Sequence, residues 1–197
     1  MLPGLFITFE GPDGSGKSTQ VELLAQALAG RNPLVVREPG GTELGERIRE
    51  LLLHRPEGMS AEAEMYLFMA ARAELLETRI KPALAEGRVV IDDRYHDSTL
   101  AYQGGGRGVA AAWPAHFPKP DLTILLALPA QEGIGRHGRS GKSLDRLDAE
   151  SLEFHEAVAK TYDRLAEREP ERFLRLDATA DPAEIHREVM RRVGQLL

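Results

Sequence analysis

The sequence predicts an α/β fold in three layers, a five-stranded and mainly parallel sheet wound by helices on both faces, with a small flexible lid. Three observations carry this prediction. Five short apolar runs recur along the 197 residues, separated by stretches with helical periodicity. The first run ends in a glycine-rich loop that opens directly into a helix pattern. The composition, 42% hydrophobic and 28% charged, is ordinary for a globular chain, and the length suits one domain with a core of its own.

Leu5 to Phe9, the first run, reads as a buried strand. After it come Gly11, Pro12, Asp13, Gly14, Ser15, Gly16, Lys17 and Ser18, which fit G-x-x-x-x-G-K-[ST]. Thr19 to Ala29 then carry Val21, Leu24, Ala25 and Leu28 at helical spacing. Glycines let the backbone turn its N–H groups inward with no Cβ in the way, so a strand–loop–helix of this kind makes a concave anion site at a helix N-terminus. Gly11 to Thr19 are therefore the candidate ATP-binding residues, and the fold class is of P-loop NTPase type. Lys17 is placed to reach the outer phosphates, and Ser18 to ligand the Mg²⁺ that accompanies a nucleoside triphosphate.

Leu34 to Arg37 reads as the second strand, followed by a helix near Thr42 to Leu53 and a long one from about Ser60 to Arg79. Pro82 breaks that pattern or restarts it as a short helix. Arg88 to Asp92, Leu122 to Leu128 and Phe173 to Leu176 complete the strands, with a helical stretch over Ser151 to Arg168. Asp181-Pro182 starts a last helix whose Ile185, Val189 and Val193 face inward. Two glycine-rich segments, Gln103 to Gly108 and Gly133 to Lys142, read as mobile and cationic. Open parallel sheets bind ligands beyond the carboxyl ends of their strands, so the segments after strands one, two and three should converge on one crevice.

Several function classes are disfavoured. A net charge of −6 argues against bulk nucleic-acid binding. The chain has no cysteine, which excludes disulfides, thiol catalysis and zinc–thiolate sites, and its six histidines are scattered without ligand spacing. No basic region precedes the N-terminal apolar stretch, and the longest later one, Leu122 to Ala130, is too short to span a bilayer. A cytoplasmic protein with no membrane partner is the expectation.

Three readings of the triphosphate site compete: a switch GTPase, an ATP-driven binding or motor module, and a small-molecule kinase. Guanine is usually read by an Asn/Thr-Lys-x-Asp loop, yet the sole asparagine, Asn32, is followed by Pro33. More is learned from Arg37-Glu38-Pro39-Gly40-Gly41-Thr42 after the second strand, and from Asp93-Arg94-Tyr95-His96-Asp97-Ser98 and Tyr102-Gln103 after the third. With Glu10 to Thr19 and Leu144-Asp145-Arg146, these make four ordered motifs that resemble the thymidylate kinase family over nearly the whole chain. The resemblance implies an ATP- and Mg²⁺-dependent dTMP kinase that makes dTDP for dTTP synthesis and works as a homodimer.

The residue chemistry agrees with a monophosphate acceptor. Holding a second dianionic phosphate beside the γ-phosphate calls for guanidinium groups that bind oxygens in pairs, and Arg37, Arg49, Arg72 and Arg94 are candidates. By resemblance, Arg94 straddles the two phosphates and Glu38, or its loop, helps order the acceptor site. Phe68 and Arg72 lie four apart on a predicted helix and share a face. The resemblance assigns Phe68 to stacking on the base and Arg72 to its carbonyl oxygen. Arginine only donates, which suits the C4 carbonyl of thymine or uracil and opposes the C4 amino group of cytosine. The resemblance also implies that Asp13 receives the sugar 3′-hydroxyl, that Tyr102 crowds the place of a 2′-hydroxyl, and that Ser98, Thr99 and Gln103 contact the nucleotide. Asp93 is the acid expected at the metal or its water shell, with its neighbour Asp92 as the second candidate.

Positions 12 to 15 contain no arginine, where some members of the family place one, and the resemblance to members with a basic lid implies that Gly133 to Arg146 closes over ATP and brings Arg136, Arg139 or Arg146 to the phosphates. The chain departs from the family pattern at Ala127, where relatives often carry an acid, in the Asp145-Arg146-Leu147-Asp148 end of the lid, and in a short stretch from Gly108 to Pro120.

Overall fold

The computed structural model describes residues 4–53, 59–139, 147 and 149–197, with the backbone alone for 137–139. Its five strands are β1 (Leu5–Glu10), β2 (Leu34–Arg37), β3 (Val89–Asp93), β4 (Leu122–Ala127) and β5 (Phe173–Asp177). They lie in the order β2-β3-β1-β4-β5, and every pairing is parallel. The sheet expected to be mainly parallel is thus parallel throughout the described residues. β1 and β4 are almost wholly buried because helices cover both faces, which is why they read as continuous apolar runs and not as alternating ones.

Successive side chains of a strand point to opposite faces, and this sorts the core. Ile7, Phe9, Ile91, Ile124 and Leu126 face α1 (Lys17–Ala27) and α8 (Pro182–Val193), meeting Val21, Leu24, Val189 and Val193. Phe6 and Val90 face the other way, onto Leu75 at the end of α3 (Ala61–Leu75) and onto Leu76 and Ile80 just beyond it. Leu125 and Phe173 on that same side meet Phe154, Val158 and Tyr162 of α7 (Leu152–Arg168). The chain leaves β1 toward β2 and β3 on one side, then crosses to β4 and β5 on the other. The carboxyl ends of the strands at that reversal are where an open α/β sheet leaves a crevice.

Local chemistry accounts for the helix boundaries. Ser60 caps α3 by accepting from Ala63 N at 3.1 Å, and Asp181 caps α8 by accepting from Ala183 N at 2.9 Å, with Pro182 in the first turn. α2 (Glu43–Leu53) packs on α3, and Ile48 and Leu52 meet Ala71. Pro82 does not end the long helix. α3 runs through a π-helical turn, Leu76–Ile80, into α4 (Lys81–Ala85), so the regular i→i−4 ladder is already interrupted just where Pro82 has no N–H to give.

Both glycine-rich segments differ from expectation. α5 (His96–Thr99) continues as a π-helical turn over Leu100–Gly106, so the first segment is packed helix and not open loop. A Cβ on Gly105 would lie 2.1 Å from Thr161 Oγ1, and one on Gly106 would lie 2.4 Å from the Phe154 ring. The glycines allow α7 to approach. In the second segment, Gly133 to Arg139 belong to α6 (Ala130–Arg139), while 140–146 lie outside the described residues. No helix among the described residues is long and apolar enough to cross a membrane.

Candidate active site

Between β1 and α1 the backbone turns through Gly11 at φ 137° and Gly16 at φ 88°, values that side chains with a Cβ rarely adopt. A Cβ on Gly11 would also strike Leu126 O at 2.4 Å, so the loop can lie directly on the end of β4. Lys17 opens α1 and folds back, donating from Nζ to Pro12 O at 2.8 Å and Gly11 O at 3.0 Å. Burial, helped by the nearby Arg94 charge, pushes its ammonium down to about 8. Ser18 Oγ donates to Asp93 Oδ2 at 2.8 Å across 75 residues of sequence. Asp92 turns away from that pair. It is fully buried with neither oxygen hydrogen-bonded to a described residue, and burial, with Glu38 nearby, raises its carboxyl well above the ordinary range.

Arg94 follows β3 with φ 76°, a left-handed conformation that costs a non-glycine residue on the order of 1–3 kcal/mol and is usually held where a site requires it. Its guanidinium donates to Gly11 O (3.1 Å), Ser98 Oγ (3.2 Å), Asp13 Oδ1 (2.5 Å) and Tyr102 OH (3.3 Å). Tyr102 OH donates to the other Asp13 oxygen at 2.8 Å. Burial opposes ionisation of Asp13, but the Arg94 and Lys17 charges and these bonds win, and its carboxyl falls well below the usual range.

Behind this cluster Glu10 is fully buried. One oxygen accepts from Tyr95 N at 2.8 Å, the other from Ser98 Oγ at 2.6 Å and Tyr162 OH at 2.9 Å. Burial, reinforced by Asp97, moves its carboxyl from the ordinary 4.5 to about 7. A carboxyl raised in the folded state contributes stability at low pH that is lost as pH climbs through the folded value. Glutamine does not titrate, so Glu10→Gln should gain in thermal midpoint relative to the wild type between pH 5 and 8; a gap constant with pH in paired melts would contradict this.

The opposite wall is built on α3. Arg72, 1% exposed, donates from Nε to Glu38 Oε2 at 2.6 Å, from one terminal nitrogen to Thr99 Oγ1 at 2.8 Å and His96 Nδ1 at 3.3 Å, and from the other to Tyr95 O at 3.0 Å. Because His96 Nδ1 accepts from arginine, Nε2–H is the end that donates to Ala112 O at 3.0 Å. Burial, helped by Arg72, pushes that imidazole down to about 3 and keeps it neutral. Burial also lifts Glu38 to about 7, against the pull of Arg72.

Two adjoining clefts result. One is floored by Gly14, Gly16, Lys17, Ser18 and Thr19 and edged by Arg37, Asp93 and Arg136. The other is walled by Phe68, Arg72, Ser98, Thr99, Tyr102 and Gln103. Asp13, Glu38, Arg49 and Arg94 line both.

The family model for thymidylate kinase matches residues 9–189. The chain belongs to the thymidylate kinase family. It is 50% identical over 186 residues to the thymidylate kinase of Thermomicrobium roseum, covering 90% of this chain and 88% of the relative. It is 45% identical over 206 residues to that of Pseudomonas syringae pv. tomato, covering 100% and 98%. The crystal structure of thymidylate kinase from Ehrlichia chaffeensis superposes with a TM-score of 0.77 at 32% identity, covering 98% of this chain and 99% of that one.

In this family member Arg37 and Arg49 sit at the rim of the clefts. Arg37 is paired with Glu46 at 3.2 Å, and Arg49 donates to Pro39 O at 3.1 Å. Arg136 stands against the loop, with Gly133 and Arg136 beside Gly14, while its guanidinium donates to Glu132 at 3.2 Å and to Ala178 O at 2.9 Å. The side chain of Arg139 and all of Arg146 lie outside the described residues. Pro12 lines a separate hollow behind the loop, between the ends of β4 and β5 and α7. Sequence reasoning missed Tyr162, whose hydroxyl reaches Glu10 from 152 residues away, and Glu64, which carried a signal: it shares a helix face with Phe68 and Arg72 at four-residue spacing.

Proposed function

We propose that the chain transfers the γ-phosphoryl group of ATP to dTMP, giving dTDP and ADP for dTTP synthesis, with the two nucleotides end to end in the adjoining clefts. The position of Arg94 supports this most directly. Its guanidinium spans Gly11 of the loop and Asp13 and Tyr102 of the second cleft, so a single planar cation faces both phosphate positions.

Phosphoryl transfer asks for alignment and charge compensation more than covalent chemistry. The loop amides cradle the donor phosphates, and Lys17 exchanges the carbonyls of Gly11 and Pro12 for phosphate oxygens. Arg94, with Arg37 and Arg49 at the rim, receives the acceptor phosphate. Asp13 takes the sugar 3′-hydroxyl, and Tyr102, bonded to Asp13, fills the space of a 2′-hydroxyl. Phe68 stacks on the base beside Arg72, Thr99 and Gln103. Ser98 acts by holding Arg94, since its hydroxyl is already shared among Arg94, Glu10 and Tyr162. Ser18 and Asp93 are an oxygen-only pair held together by a hydrogen bond, which suits a hard cation and makes them the residues to hold Mg²⁺. When bound, that ion neutralises charge on the phosphate oxygens.

The chain works as one domain with its lid at about 133–146, and closure is assigned to Arg136, Arg139 or Arg146. Replaced singly by alanine, a catalytic lid arginine should cost on the order of 10³-fold in turnover; three near-normal variants would refute the lid assignment. A homodimer is supported by Leu44 and Leu51, which lie seven apart on one face of α2 and are 48% and 50% exposed. Sedimentation should give twice the chain mass, and Leu51→Glu should weaken the association.

The decisive measurement is coupled ADP release with dTMP, dUMP, dCMP, dGMP, thymidine or no acceptor. Fast release is expected with dTMP, slower with dUMP, and little with the others. Equal release without acceptor would favour an ATP-driven module, and a preference for thymidine would favour a nucleoside kinase.

A further inference from the structure

We propose that Glu64, which lines neither cleft, is a positioning residue that sets which end of the Gln103 amide faces the nucleotide base, and so enforces the preference for thymine over cytosine. The inference rests on the reading of the Phe68–Arg72 cleft as the dTMP site.

Glu64 is fully buried on α3, one turn before Phe68 and two before Arg72. Its Oε1 accepts from Gln103 Nε2 at 3.1 Å and from Arg107 Nε at 3.4 Å. Arg107 is itself fixed, donating from a terminal nitrogen to Glu150 at 2.6 Å and lying 4.8 Å from the centre of the Phe154 ring. A primary amide has one donating end and one accepting end, and a carboxylate only accepts. With Arg107 donating to the same oxygen, Glu64 therefore draws the nitrogen end of Gln103 toward itself. The carbonyl end is left for the cleft. Gln103 lines that cleft beside Phe68, Arg72 and Thr99, and no hydrogen bond from a described residue reaches its Oε1.

The wall consequently presents a donor at Arg72 and an acceptor at Gln103. Thymine and uracil offer the matching pair, a C4 carbonyl that accepts and an N3–H that donates. Cytosine offers a C4 amino group and a bare N3, which is mismatched at both points. A site built to receive a hydrogen-bond donor discriminates strongly against a ligand that lacks it, because the buried acceptor is then left unpaired. Were the Gln103 amide turned over, N3 of cytosine would be accommodated instead, so the orientation imposed by Glu64 is itself a specificity element.

Glu64→Met tests this, because it removes the acceptor that fixes the Gln103 amide, whereas a carboxamide would be held in the same sense by Arg107. The expected result is a fall of about tenfold or more in the ratio of kcat/KM for dTMP to that for dCMP. The ratio for dTMP to dUMP should be unchanged, since both bases carry N3–H. Glu64→Asp, which keeps an accepting carboxylate, should restore much of the discrimination. On the unaltered protein, dTMP methylated at N3 should lose at least tenfold in kcat/KM. An unchanged ratio, or equal losses on dTMP and dCMP, in Glu64→Met would overturn the proposal and leave Glu64 a structural support, and so would normal turnover of N3-methyl dTMP. A wild-type protein that phosphorylates thymidine or dGMP but not dTMP would overturn the reading of the cleft itself, and this inference with it.

Discussion

Arg94→Ala is expected to lower kcat by about 10³-fold or more, the scale of losing an arginine that compensates phosphoryl-transfer charge. Arg94→Lys should recover little of it. Arg94 donates to four groups at once, on the loop, on α5, on Asp13 and on Tyr102, through a planar fork that an ammonium on a flexible stem cannot reproduce. Its removal also takes from Asp13 the main charge that keeps its carboxyl ionised, so burial would then dominate there. KM for dTMP should therefore rise as kcat falls, while ATP affinity, resting on the loop, changes less. Steady-state and single-turnover rates with both lysine and alanine variants check this. A lysine variant within tenfold of the wild type would mean that Arg94 supplies charge without geometry.

Arg72→Met should cost roughly 3–5 kcal/mol of folding stability, the usual result of removing one partner from a buried ion pair. Nothing else in the described surroundings replaces what Arg72 supplies, since Glu38, Thr99, His96 and the Tyr95 carbonyl all take hydrogen bonds from it. Glu38 already sits at about 7 through burial, and Asp92 beside it is raised well above its ordinary value. Without the guanidinium both would be driven further toward the neutral acid. A raised carboxyl in the folded state makes stability fall as pH rises, so the deficit should widen between pH 6 and 8. Urea unfolding at the two pH values measures it, and Glu38→Leu in the same background should return part of the loss by removing the orphaned acid. A deficit below about 1 kcal/mol at both pH values would show that the pair contributes little.

The strands were legible because β1, β3 and β4 are apolar runs buried on both faces and the edge strands β2 and β5 are still short and mostly apolar, and only their ends were misjudged. Glu10, Asp93 and Asp177 extend β1, β3 and β5 by a polar residue, since a parallel strand keeps pairing up to the crevice where its last side chain is wanted. The strand–loop–helix setting of Gly11 to Ser18 was legible too. Partners were legible only in part: Ser18 and Asp93, expected near one another, do meet, and Asp92 points the other way because successive strand residues face opposite sides of the sheet. The run Gly104-Gly105-Gly106 suggested an open loop from composition, yet its meaning is close approach to Thr161 and Phe154, which appears only when α7 is in place. Tyr162 gave no local signal, because what defines it is a hydroxyl reaching Glu10 across the sheet end.

The π-helical turn over Leu100–Gly106 has a consequence for how this chain tolerates length change. Arg107 N bonds to Tyr102 O five residues back, which holds one more residue per turn than ordinary winding needs. Excising a single residue after Leu100 would let the segment relax to a regular helix and swing Tyr102 around the axis by about 100°, away from Asp13 and Arg94. A one-residue deletion there would carry Tyr102 out of register in one step.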